Sequence, residues 1–149
     1  MKTWITISIL GLAAGLLAQQ PAIEEGRIRF RAVDIYVDAG STPLAAYQIE
    51  LAATNGSVKI VGIEGGEHPA FSQPPFYDPK AMQHERVIVA SFSTAPPETL
   101  PMGKTRVATI HFQTSSAQVP GFELKLQTAG DSQGKKIPAQ ASFEERKAK

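Results

Sequence analysis

The 149-residue chain contains no cysteine. That excludes a disulfide framework, a cysteine zinc site and a thiol nucleophile. It also lacks an excess of charge: 15 Lys and Arg face 14 Asp and Glu, a formal net charge of +1. Such a balance excludes a nucleic-acid binder recognised by charge. Charged residues make up 19% of the chain and hydrophobic residues 42%, which excludes an acidic disordered polypeptide. No H-E-x-x-H or H-x-x-x-H spacing and no G-x-S-x-G elbow occurs, so neither a zinc hydrolase nor an α/β hydrolase is indicated. What remains is one compact domain, within the usual range of about 100–200 residues.

The first 18 residues read as an export signal. Lys2 supplies the positive start, Ile5 to Leu17 form an uncharged apolar run, and Ala18 precedes the polar pair Gln19-Gln20. The run is short for a membrane span, which needs about 20 residues. The expected organisation is a signal peptide at 1–18, a lead at 19–27, a domain at 28–143 and a charged, solvated tail at 144–149. Cleavage would remove Lys2 and Trp4, leaving a tryptophan-free chain of zero formal charge with no integral membrane span. The expected location is secreted, periplasmic or cell-surface, and nucleic acid is not an expected partner.

Beyond Gln20 the chain is a series of short alternating runs between Pro, Gly and Asn. A period of two marks a strand with one buried face. Val33, Ile35 and Val37 share one phase. Ile28, Phe30 and Ala32 share the other, so a bulge or a change of sheet is expected between Ala32 and Val33. Ala45, Tyr47, Ile49 and Leu51 lie on one face. Asn55-Gly56 is a strong hairpin signal, with Val58 to Ile63 as the expected partner strand. Val87 to Ala90 is apolar on both faces, as in a central strand. Ala108, Ile110 and Phe112 point inward, with Val107, Thr109 and His111 outward. Phe122, Leu124 and Leu126 point inward too. Ile137 to Phe143 contains Pro138, which places that run at an edge. The expected fold is all-β, an antiparallel sandwich of about seven to nine strands.

The order of these runs resembles the cohesin-like, jelly-roll-type sandwich shared by cohesins and related carbohydrate-binding modules. The resemblance is carried by Leu44–Leu51, by Val61–Gly66, by Arg86–Ala90 with Gly103–Phe112, and by Gly134–Pro138. It covers roughly residues 28 to 143. It implies a non-catalytic binding or assembly module, whose partner is another exported protein or, alternatively, a polysaccharide. It implies no cofactor.

The segment Gly65–Glu85 is the least regular of the chain. Its four prolines and two glycines argue against a strand. Long connections in compact domains are often functional, and Phe71, Phe76 and Tyr77 let this one bury area. Two roles are open to it: a lid over the core, or a surface that binds a ligand. Phe71, Phe76, Tyr77 and Asp78 are the candidate binding residues, because Pro74-Pro75 and Asp78-Pro79 restrict the backbone on either side of two rings. Glu64, Glu67, His68, Asp78, His84 and Glu85 could ligate a metal by type, but no ligand spacing organises them, and no metal is expected. Asp34 and Asp38 share a strand face about 13 Å apart, too far to hold one ion. Arg27, Arg29 and Arg31 read as a solvated basic stripe, and His111 as a surface residue. Glu50 and Glu123 read as ordinary outward carboxylates.

Overall fold

The computed structural model describes residues 26–55, 57–118 and 120–146. The expected signal peptide, most of the lead and Gly56 lie outside the described residues, as does the end of the tail. Eight strands form two antiparallel sheets. They are β1 (Arg29–Asp38), β2 (Ala46–Ala53), β3 (Val58–Gly65), β4 (Phe76–Tyr77), β5 (Arg86–Phe92), β6 (Lys104–Thr114), β7 (Phe122–Gly130) and β8 (Gln140–Glu145). The first sheet has the order β3-β6-β1-β8 and the second β4-β5-β2-β7. The expected all-β sandwich is what the chain forms. No helix among the described residues is long and apolar enough to cross a membrane.

The alternating runs supply the core. Val33, Ile35, Val37, Ile110 and Phe112 from the first sheet meet Tyr47, Ile49, Leu51, Val87 and Val89 from the second, all essentially inaccessible. Each such side chain removed from water contributes about 1.5–3 kcal/mol, the main force holding the sheets face to face. Phe112 and Phe122 extend the layer with ring centroids 5.0 Å apart.

Three sequence expectations change. Asn55 does not close a hairpin. β2 pairs with β5 and β7, whereas β3 pairs with β6 in the other sheet. The chain instead passes from one sheet to the other between β2 and β3, and the Asn55 Oδ1 accepts the Gly121 N–H at 2.5 Å. An Asn-Gly pair encodes a reversal, not the sheet that the next strand joins.

β1 passes straight through Ala32 and Val33 in register with β6. Ile28 and Phe30 are simply exposed on the outer face. The irregularity lies between Ile35 and Tyr36, where Val107 is the extra residue on β6. A bulged residue leaves the ladder, and the buried Tyr47 hydroxyl donates to the Val107 carbonyl at 3.0 Å. Burial pushes the Tyr47 phenol above its ordinary pKa.

The charged end is partly strand. β8 continues past Phe143, pairing Glu144 with Asp34 and Glu145 with Val33. Arg146 follows with a backbone bond from its N–H to the Ala32 carbonyl at 2.8 Å. Pro138 lies just before β8, and β8 is an edge strand, where the missing N–H is tolerated.

Candidate binding surface

The segment between β3 and β5 divides into three pieces with different tasks. It begins with Gly65-Gly66. A Cβ on Gly65 would lie 2.2 Å from the Ser72 carbonyl oxygen, and one on Gly66 would lie 2.2 Å from that of Arg106. Close backbone approach, rather than an unusual dihedral angle, is what these glycines allow. The Gly66 N–H then donates to the Phe71 carbonyl at 2.7 Å. A 3₁₀ turn at Pro69–Phe71 follows, with His68 Nδ1 accepting the Ala70 N–H at 3.1 Å. This piece drops Phe71 into the core, 1% exposed, where its ring meets that of Tyr47 edge-on at 5.3 Å. Phe71 is therefore a lid residue and is not available to a ligand.

The middle piece contradicts the expectation that proline density forbids a strand. Phe76 and Tyr77 follow the two prolines and pair with Ala90 and Val89 as β4. Strand alternation then separates the two expected partners. Tyr77, opposite inward-facing Val89, is half-buried against the core, whereas Phe76 is 70% exposed. The third piece is a strap. Asp78 Oδ1 accepts the Lys80 N–H at 2.9 Å and caps a second 3₁₀ turn, Pro79–Ala81. The Gln83 N–H then donates to the Ile60 carbonyl at 2.8 Å, and the Ile60 N–H donates to the His84 carbonyl at 2.9 Å. These bonds tie the segment to β3 across the open side of the sandwich. Asp78 is exposed; besides capping this turn it borders the groove beside β5.

Phe76 finds a partner that the sequence did not single out. Phe92, at the end of β5, is 63% exposed, and its ring lies nearly parallel to that of Phe76, 12° between planes and 6.2 Å between centroids. Its signal was present: Ile88, Ala90 and Phe92 share one phase of β5. The apolar residues on the opposite phase hid it, because a run that is apolar on both sides reads as a fully buried strand. In fact β5 is flanked on one side only by the two-residue β4.

Beside the rings runs a polar row. Glu50 receives two hydrogen bonds from Arg86, at 2.9 and 2.8 Å, and one from Gln127 Nε2 at 3.1 Å. Gln48 donates to the Gln127 side-chain oxygen. Gln127 is the extra residue where the β2–β7 register shifts, so a bulge aims its amide onto this face. The Arg86 hydrogen bonds hold the Glu50 carboxyl below its ordinary pKa against the opposing effect of burial. The Arg86 and Lys125 charges and the Gln127 hydrogen bond add to this effect. A groove of about 650 Å³ lies between this row, Phe76 and the strap. No three His, Asp or Glu residues among the described ones are grouped to hold a metal ion.

The rings and the polar row can contact a ligand along an open face. They do not present a nucleophile beside a base. Comparison of the chain with protein-family models, with curated proteins and with solved structures finds no match in any of the three.

Proposed function

We propose that the protein is an exported, non-catalytic binding module of the cohesin-like sandwich type, whose partner is another exported protein. The observation that carries the reading is the pair of exposed rings, Phe76 and Phe92, on the outer face of the second sheet. Two large apolar groups left in water cost free energy that a partner surface would recover, at about 25 cal/mol per Å² of apolar area covered. Aromatic anchors beside a polar rim are the usual make-up of protein interfaces.

A second reading, a polysaccharide as the ligand, is favoured by one feature. Gln48, Gln127, Glu50 and Arg86 present amide, carboxylate and guanidinium groups beside a ring face, as sugar hydroxyls require. The tyrosines weigh against it. Tyr47 is buried, Tyr77 is half-buried, and Lys104 Nζ sits 4.5 Å over the Tyr36 ring.

The test is the double substitution Phe76→Ser, Phe92→Ser. Crosslinking to exported proteins of the source organism and pull-down on cellulose, chitin and xylan should be run with both forms. Protein capture that disappears with the rings, at an unchanged melting temperature, is the expected result. Retention on a polysaccharide that disappears with the rings would select the second reading. Capture indifferent to the rings would remove the site.

A further inference from the structure

We propose that the partner engages this face by adding an extended polypeptide strand to the open edge of β5; the proposal rests on the binding-module reading above. The hydrogen-bond parity of β5 is fixed at both of its ends. The Ala53 N–H donates to the Glu85 carbonyl, and the Ser93 N–H donates to the Ala45 carbonyl. The β2–β5 register between these points has no shift. In an antiparallel pair the backbone groups of alternate residues point to opposite sides. Val87, Val89 and Ser91 therefore face β2, while Arg86, Ile88, Ala90 and Phe92 turn their backbone groups to the other edge. β4 meets that edge only at Val89 and Ala90. Asp78 and Pro79 then turn the chain away into the capped 3₁₀ turn.

The space vacated is the groove of about 650 Å³, with Ile88 on one wall and Lys80 and Ala81 on the other. On the far flank of β4 a second groove of about 580 Å³ runs beside Phe92 and Ser93. The first groove follows this strand edge, and the second meets it at Phe92, the last residue of β5. Alternating N–H and C=O groups along such an edge are matched by another extended backbone, the main-chain mode of peptide recognition. Charge complementarity points the same way. Lys80 and Arg86 are offset by Asp78 and Glu85 around the groove, so neither a polyanion nor a polycation is selected, whereas a neutral backbone is accepted. A second copy of the chain is a poorer occupant. Pairing between folded sheets needs a long, flat edge, and β4 and the strap interrupt this one. A flexible segment can follow the groove.

The test pans a phage-displayed library of random dodecapeptides against the purified protein. Enriched peptides are then examined by amide hydrogen exchange and titration. In the free protein the Arg86 and Ile88 amides should exchange faster than those of Val87 and Val89, and bound peptide should slow them about tenfold or more, the worth of a gained hydrogen bond. Ile88→Pro removes an N–H that faces away from β2, a place where strand proline is tolerated. It should weaken peptide binding about tenfold beyond Ile88→Ala, again the scale of one hydrogen bond. Should the proline variant unfold, the exchange data on the unsubstituted protein decide. No enrichment, protection elsewhere, equal binding by the two Ile88 variants, or dimerisation through β5 would each overturn the proposal. Binding that needs Phe76 and Phe92 but ignores Ile88→Pro would leave the face reading standing and remove strand addition alone.

Discussion

On the outer face of the first sheet, the polar groups are directed at one another. Thr109, fully buried, donates its hydroxyl to Asp34 Oδ1 at 2.7 Å and accepts from Arg106 and Arg146, each at 2.9 Å. Arg146 also holds both Asp34 oxygens, at 2.7 and 3.2 Å. His111 Nε2 lies 3.0 Å from Glu64 Oε1, although it is not aligned for a hydrogen bond. On the outer face of the second sheet, a shorter polar row stands beside two bare rings and a partly uncovered strand edge. The two faces belong to one sandwich and share one core. The first, apart from the exposed Ile28 and Phe30 at the start of β1, is finished by β8 and Arg146. The second is left unfinished where β4 stops after two residues. The proposed binding therefore falls on the second face, even though the first holds more charge.

Both faces are mounted on one common core, and disrupting that core carries the largest expected effect. Ile110→Ala on β6 should cost about 2–5 kcal/mol in denaturant melts, the usual loss for a buried branched side chain. His111→Ala, its neighbour on the outer face, should cost less than about 1 kcal/mol. Equal losses would mean that the outer face of the first sheet is itself part of the stabilising core.

How far the sequence foretells this depends on distance along the chain. Alternation in β2, in β7 and in β6 from Ala108 to Phe112 is legible because a strand with one buried face must repeat every two residues; Val107, expected outward, is buried in the core, because the bulge there shifts the phase of β6. Sheet membership is not, because Asn55-Gly56 specifies a turn and nothing about pairing with β6. The polar cluster of the first face was out of reach for the same reason. Asp34 and Arg146 stand 112 positions apart, and only the pairing of β8 with β1 joins them. For the binding surface, the segment and Phe76 were legible from composition and turn residues. Phe71 was misplaced, and Tyr77 borders the groove half-buried rather than fully exposed like Phe76, because composition says that a ring is buried or exposed somewhere, not which one. Phe92 needed the one-sidedness of β5, which follows from the two-residue length of β4.

A middle-sized effect should show by pH whether charge finishes the first face. Burial alone would raise the Asp34 pKa. The hydrogen bonds of Arg146 and Thr109, with the charges of Arg146 and Arg106, overcome it and hold the carboxyl below its ordinary value. A carboxylate depressed in the folded state contributes its full stability above the unfolded value of about 3.9 and loses it as pH falls through the folded one. Asp34→Asn keeps the shape but not the charge. At neutral pH it should cost about 1.5–3 kcal/mol, the range for hydrogen bonds to a charged group. The gap between the two proteins should narrow as the pH falls below that of an ordinary carboxylate. A gap that persists in acid would mean that packing, not charge, finishes the first face.

The smallest expected effect belongs to the second face, and the comparison depends most on its smallness. If Phe92 were there to hold the sandwich together, its removal would expose core surface and lower the melting temperature as a buried aromatic does, by about 3–5 kcal/mol in stability. The geometry argues otherwise. The ring is 63% exposed, lies on the phase of β5 that points away from the core, and stacks on another exposed ring. An aromatic pair is worth about 0.5–1.5 kcal/mol beyond the area it buries. Here most of that area is still wet, and serine returns a hydroxyl to water. Phe92→Ser should therefore change stability by no more than about 0.5 kcal/mol, as surface substitutions do, and should raise solubility by removing an apolar patch. Thermal melts of Phe92→Ser beside Asp34→Asn read the contrast directly. A loss on Phe92→Ser as large as that on Asp34→Asn would show that the rings serve the fold, and the second face would then have no surplus to offer a partner.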